Sequence, residues 1–180
     1  MLVSCINLFM NAGVLRSVRS FLMGDTESEL MTTLQVGDKA PYFEGETETG
    51  KSVKLTDFLG KKLVLFFYPA DNTPTCTAVA CHLRDHYAEL QAAGYELLGV
   101  SPDSSKKHEN FIKKFTFPFS LLADPEQKVL QAYGVWGPKK LFGRDYDGVL
   151  RTTFVIDERG FILKVLNKVD SQSHAEQILE

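Results

Sequence analysis

The chain reads as an α/β domain, and three features predict that class. Residues 63–68 are a continuous apolar run of strand length, the mark of a strand buried on both faces. Residues 95–100 form a second strand-like run, and between the two Val79, Leu83, Tyr87 and Leu90 recur at helical spacing. This strand–helix–strand order has the length of a parallel unit with a crossover helix.

Taken in order, residues 36–41 carry the Gly and Pro punctuation of a loop. Short polar–apolar alternation around the turn Thr49-Gly50-Lys51 then predicts an N-terminal β-hairpin. Residues 56–60 have room for one helical turn. The central strand at 63–68 ends at Pro69. Thr73 is the expected N-cap of the next helix and Pro74 its first residue, where a missing N–H costs nothing. Cys76 is therefore the third helical residue, and the helix continues past Leu90 to a stop at Gly94. A helix over 105–115, with Phe111, Ile112 and Phe115 on one side, leads to a short strand at 119–122. Asp124-Pro125 repeats the cap signal for a helix through Val129, Leu130 and Tyr133, closed by Gly134. Residues 135–148, which hold the single tryptophan Trp136, read as a loop. Residues 150–156 and 161–166 flank the turn Asp157-Glu158-Arg159-Gly160 as a hairpin, and Ser171 or Ser173 opens a last helix carrying Ile178 and Leu179. Three helical crossovers, a hairpin and a final helix predict a sheet covered by helices on both faces.

Composition narrows the function. With 180 residues, 44% hydrophobic and 24% charged, the chain suits one well-buried domain. A net charge of −3 gives no basic surface for nucleic acid or an anionic membrane. The basic pairs Lys61-Lys62, Lys106-Lys107, Lys113-Lys114 and Lys139-Lys140 read as solvated surface. No stretch approaches the roughly 18 apolar residues of a membrane span. Three cysteines, Cys5, Cys76 and Cys81, are too few for a disulfide framework and place the protein in a reducing compartment, the cytoplasm. Residues 1–22 hold no acid but two arginines, Arg16 and Arg19. Residues 1–30 are thus an extension, either an organelle-targeting segment or a product of a start site upstream of Met23 or Met31, ahead of a domain at 31–180. Cys5 in it reads as a bystander thiol.

The chemistry concentrates at Cys76, because a helix N-terminus favours thiolate over thiol. Cys81 follows five residues later. In a continuous helix that spacing separates the two Cα atoms by roughly 8.6 Å and turns them about 140° around the axis. A disulfide needs about 7 Å or less. The pair can bond only if the first turns of the helix unwind. Two other readings compete: both cysteines as small buried hydrophobes, or a metal site of Cys81 with His82 and His86. The second has poor geometry, since Cys76 points away and one helix cannot wrap four ligands round a zinc. No metal, haem, flavin or nicotinamide is called for, and no Gly-rich phosphate fingerprint is present.

Residues 68–77, Tyr-Pro-Ala-Asp-Asn-Thr-Pro-Thr-Cys-Thr, with Cys81 beyond them, resemble the peroxiredoxins of the bacterioferritin comigratory protein (peroxiredoxin Q) subfamily. The resemblance runs from about Val36 to the C-terminus and takes in residues 135–140 and 151–157. It implies a thioredoxin fold with an N-terminal β-hairpin and an inserted helix–strand element. It also implies a peroxidase that reduces hydrogen peroxide and organic hydroperoxides, recycled by thioredoxin, as a monomer or weak homodimer. By the same resemblance Cys76 is the peroxidatic cysteine, Cys81 the resolving cysteine, and Arg151 the active-site arginine. Thr73 hydrogen-bonds at the peroxide and Pro69 shields the thiolate. Where the family commonly has glycine before the peroxidatic cysteine, this chain has Thr75, a β-branched residue that stiffens the turn. The remaining alternatives are a thiol-disulfide oxidoreductase, which usually shows Cys-x-x-Cys, and a redox-regulated chaperone or sensor.

Overall fold

The computed structural model describes residues 32–141 and 144–180, so the extension at 1–30 and Cys5 lie outside the described residues. Strand β3 (Lys62–Phe67) organises the rest. Its side chains alternate between two faces, and because both are apolar each enters a core of its own. Leu63, Leu65 and Phe67 pack with Leu98, Val100, Tyr133 and Phe154 on one face. Val64 and Phe66, continued by Tyr68, pack with Cys76, Leu83, Phe111 and Leu121 on the other.

Around β3 lies a seven-stranded mixed sheet. It comprises β1 (Glu44–Thr47), β2 (Ser52–Lys54), β3, β4 (Tyr95–Ser101), β5 (Ser120–Ala123), β8 (Thr153–Ile156) and β9 (Ile162–Leu166), in the spatial order β2-β1-β5-β4-β3-β8-β9. Strand β4 runs parallel to β3, with Leu98 opposite Leu65, and β8 runs antiparallel on the other side, with Phe154 opposite Leu65. The N-terminal hairpin β1–β2 joins the sheet through β5. A 3-10 turn at Leu55–Phe58 occupies the place expected for one helical turn.

Helices α1 (Pro74–Asp85) and α2 (Tyr87–Ala92) cross from β3 to β4, and α3 (Ser105–Phe115) crosses from β4 to β5. These helices and α5 (His174–Leu179) supply Ala80, Leu83, Leu90, Phe111 and Ile178 to the core that holds Cys76. Helix α4 (Lys128–Ala132) covers the opposite face with Val129 and Leu130. The α/β class and the helices on both faces agree with the reading of the sequence. Helix α5 is anchored by His174, whose Nε2 lies 2.9 Å from Thr153 Oγ1 in the interior. Burial, with a lesser contribution from His82, pulls His174 down to about 4 and keeps the ring neutral.

Four expectations need correction. The helix expected to run from Pro74 past Leu90 breaks at His86, which leaves helical geometry at φ −103°, ψ 12°. There the His86 ring Nδ1 competes with its own N–H for the carbonyl of His82, at 2.9 and 3.2 Å. The helix expected at Asp124-Pro125 begins only at Lys128, because Gln127 takes a left-handed φ of 55°. Asp124 still caps that helix, accepting the N–H of Leu130 at 2.8 Å. Residues 135–148 are no loop: β6 (Trp136–Leu141) and β7 (Arg144–Val149) pair antiparallel as a separate two-stranded sheet. Gly137, Pro138 and Gly148 conceal the strand pattern, and proline is tolerated in such an edge strand. Helix α4 therefore leads into this hairpin, and only two helical crossovers join parallel strands of the main sheet. Finally, the strand expected from Leu150 starts at Thr153, which leaves Arg151 in the segment between β7 and β8.

Candidate active site

The segment after β3 must reverse direction and start a helix within a few residues. Asn72 makes the bend with φ 59°, a left-handed conformation that asparagine tolerates, and Lys114 Nζ donates to its Oδ1 at 3.2 Å. Thr73 follows in extended geometry at φ −76°, ψ 148°, and its carbonyl accepts the first helical bond, from Thr77 N–H at 2.9 Å. Pro74 and Thr75 then occupy the first two helical positions, so Cys76 stands third. Its side chain turns into the core and is 2% exposed.

Arg151 reaches the same point from β3's other neighbour. Phe67 N–H donates to Thr152 O at 2.9 Å, tying the segment before β8 to the end of β3. From there Arg151 Nη2 approaches Cys76 Sγ at 3.4 Å. Arg151 Nε is buried without a hydrogen-bond partner among the described residues. The sheet order thus brings together two residues 75 positions apart in sequence.

The other expected residues lie close in the chain but are placed differently. Thr73 makes no side-chain cap; its hydroxyl donates to the carbonyl of Ala70 at 3.2 Å, which leaves its oxygen lone pairs as acceptors. Pro69, half-buried, ends β3. Cys81 sits on the same unbroken α1 and packs partly buried against the core that holds Cys76, and both are free thiols.

Two features escaped sequence reasoning. Lys139, read as solvated surface, is half-buried on β6 and donates to Val149 O at 3.1 Å. Burial and the neighbouring charge of Arg151 pull its ammonium down, while Cys76 acts to raise it, so Lys139 is a second cation in the field of the thiol. The second feature is a buried polar network beneath the turn. Tyr68 Oη donates to Asp71 Oδ1 at 2.8 Å, His108 Nδ1 lies 2.8 Å from Asp71 Oδ2, and Asp71 N–H donates to Asp103 Oδ2 at 2.7 Å. His108 Nε2 also faces the carbonyl of Leu122 at 3.3 Å. Burial raises the Tyr68 phenol well above its usual range, which keeps it a donor. The network fixes the turn to α3 and β5. Its one signal in the sequence is a lone His108 on the helix stripe, and nothing local points it at Asp71.

Comparison with known proteins places this geometry among relatives. Residues 36–165 match the AhpC/TSA family. The chain is 45% identical over 150 residues to a putative peroxiredoxin bcp of Haemophilus influenzae, covering 83% of this chain and 97% of that one. To the peroxiredoxin Bcp of Bacillus subtilis it is 43% identical over 148 residues, covering 82% and 94%. Among solved structures, a Xanthomonas campestris peroxiredoxin Q superposes with a TM-score of 0.74 at 32% identity, covering 82% of this chain and 94% of that one. Another structure, with a TM-score of 0.74 at 31% identity over 83% and 95% of the two chains, is described as giving insight into the alkyl peroxide reduction activity of the Xanthomonas campestris bacterioferritin comigratory protein.

Proposed function

The chain belongs to the AhpC/TSA family and is a thiol peroxidase, and we propose that its cycle runs from Cys76 as the peroxidatic thiolate to Cys81 as the resolving thiol. The observation that carries this reading is the 3.4 Å approach of Arg151 Nη2 to the buried Cys76 Sγ at the third position of α1. A hydroperoxide is the oxidant and a thiol the reductant.

In the first step the Cys76 thiolate attacks the terminal oxygen of the hydroperoxide. The S–O bond forms as the O–O bond breaks, the alkoxide or hydroxide takes a proton and leaves, and Cys76 becomes a sulfenic acid. The Cys81 thiol then attacks that sulfur, forming the disulfide and releasing water. Thioredoxin, as an external dithiol, restores both thiols by exchange. An ordinary thiol is about 3% ionised at pH 7, so complete ionisation gains roughly 30-fold, or about 2 kcal/mol. The larger share of a fast reaction must come from donors aimed at the breaking O–O bond. Arg151 is the donor in this reading, fixed in charge and able to hold the sulfur and an oxygen in one fork. Thr73, with free lone pairs, accepts a hydrogen bond from the hydroperoxide O–H, and Pro69 limits water at the thiolate. We assign the catalytic domain to residues 31–180, acting in the cytoplasm as a monomer or weak homodimer, with residues 1–30 an extension to it.

Peroxide consumption coupled to thioredoxin and thioredoxin reductase tests the assignment. Cys76→Ser is expected to abolish turnover, and a variant with normal turnover would remove Cys76 as nucleophile. Cys81→Ser is expected to consume one equivalent of peroxide and accumulate a trappable sulfenic acid. Sustained thioredoxin-driven cycling in that variant would take Cys81 out of the mechanism.

A further inference from the structure

The last turn of α1 and His86, the residue that ends it, carry a second group of chemically active side chains, away from the Cys76–Arg151 contact. His82 and His86 stack with ring centroids 4.3 Å apart and planes inclined by 21°. Helix α5 lays Glu176 across them. His82 Nε2 is 3.5 Å from Glu176 Oε2 and His86 Nε2 is 3.8 Å from the other carboxylate oxygen, Oε1, and one ligand atom from each of the three residues lies within 4.8 Å of the other two. Two histidines four apart on a helix are a recurrent zinc-binding pair. With metal bonds of about 2.0–2.1 Å, neighbouring donors of a tetrahedral site sit roughly 3.4 Å apart, so the two carboxylate–imidazole gaps are already near ligand spacing.

The hydrogen bond at His86 leaves its Nε2 free as a ligand. His86 Nδ1 lies 2.9 Å from the carbonyl oxygen of His82, which can only accept. In the neutral ring the proton is therefore on Nδ1, and Nε2 turns a lone pair toward a carboxylate that is also an acceptor. Two acceptors facing each other are bridged by a proton or by a metal ion, and a carbonyl on the far nitrogen is the usual support of a histidine ligand. At His82, Nδ1 takes only a long 3.4 Å contact from Ala175 N–H, which is given up when Nε2 binds metal. The side chains are 14%, 34% and 50% exposed, so an ion can enter and keep water as its fourth ligand.

We propose that His82, His86 and Glu176 form a three-ligand site for a zinc-class divalent cation that pins α1 to α5. A consequence rests on the Cys76–Cys81 cycle proposed above. An ion bridging residues 82 and 86 holds that turn helical, and Cys81 is the residue immediately before it, so the bound metal slows the unwinding that brings Cys81 to Cys76.

The site itself is tested in the full chain with Cys5, Cys76 and Cys81 replaced by serine, so that no thiolate binds metal. Calorimetric titration with Zn2+ at pH 7 is expected to show one equivalent bound, weakened at least tenfold by His86→Ala and by Glu176→Gln. Equal affinity in all three proteins, or no binding in the parent, overturns the site. Amide exchange in the last turns of α1 is expected to slow with Zn2+ in the parent and not in His86→Ala; identical exchange with and without Zn2+ overturns the pin. With the cysteines intact, Zn2+ is expected to slow Cys76–Cys81 disulfide formation by a larger factor in the wild-type chain than in His86→Ala. Equal factors place the effect at the thiols and overturn the consequence. If no disulfide forms even without Zn2+, the peroxidase cycle fails while the calorimetric result stands.

Discussion

Cys76 and Arg151 show what a sequence discloses at the scale of the residue. The cysteine's position could be read because a helix start is local: Thr73 and Pro74 fix the third helical position whatever the rest of the chain does. Lys139 could not, because its burial depends on a hairpin that returns it beside Arg151. Arg151 had only the family resemblance to mark it, since the 3.4 Å contact joins helix α1 to the segment before β8. Replacing Arg151 by Ala is expected to lower kcat/KM for hydroperoxide by about 10²–10³, the usual loss on removing one transition-state donor. Arg151→Lys restores charge without the fork and should recover only part of it. Lys139→Gln should give a smaller loss that shrinks as salt rises, because a half-exposed charge is screened. Steady-state kinetics at two ionic strengths separate the three variants, and an unaltered Arg151→Ala enzyme would contradict the role assigned here.

At the scale of the element, the proposed cycle gives α1 two duties that oppose each other: it must be folded to place Cys76 and open to release Cys81. Thr75 occupies its second position, solvent-exposed, where the family resemblance leads one to expect glycine. Thr75→Gly is expected to weaken the helix by about 0.3 kcal/mol. Disulfide formation after the first oxidation should then run up to roughly twofold faster, followed by rapid-mixing fluorescence. An unchanged rate would mean that opening does not limit resolution. Helix α4 offers a test of capping. Burial raises the Asp124 carboxyl above its usual value despite the backbone N–H bonds it accepts. With the folded value above the unfolded one, its favourable contribution is present at low pH and lost as pH rises through the folded value. Asp124→Asn, which keeps an acceptor and removes the charge, should therefore melt no lower than the parent at pH 7, and any advantage should vanish as pH falls below about 4. Asp124→Ala should lose about 1 kcal/mol at either pH. The cap residue was legible in the sequence, but the helix start was not, because the left-handed turn at Gln127 has no glycine to announce it.

At the scale of the molecule, strand order was the least legible feature. The strands themselves followed from runs of apolar residues, whereas the placement of β1 beside β5 depends on a pairing 77 residues apart, Glu46 with Ala123. Gly99 marks how closely the side chains of neighbouring strands crowd on one face of the sheet. A Cβ there would stand 2.5 Å from Leu121 Cδ2 and 2.6 Å from Phe66 Cζ. Gly99→Ala is expected to cost about 1–3 kcal/mol by overpacking, read as a lower melting temperature. A melting point equal to the parent's would show that the two side chains yield freely.

The alternation along β3 also isolates a fault. From α1, Cys76, Ala80 and Leu83 join the cluster around Val64 and Phe66, and none of its residues joins the cluster of Leu65, Phe67, Tyr133 and Phe154 on the far side. If α1 comes apart to let the thiols meet, as the proposed cycle requires, the damage should stop at the sheet, as flooding stops at a bulkhead. The far compartment stays dry and keeps the strands in register for the helix to close again.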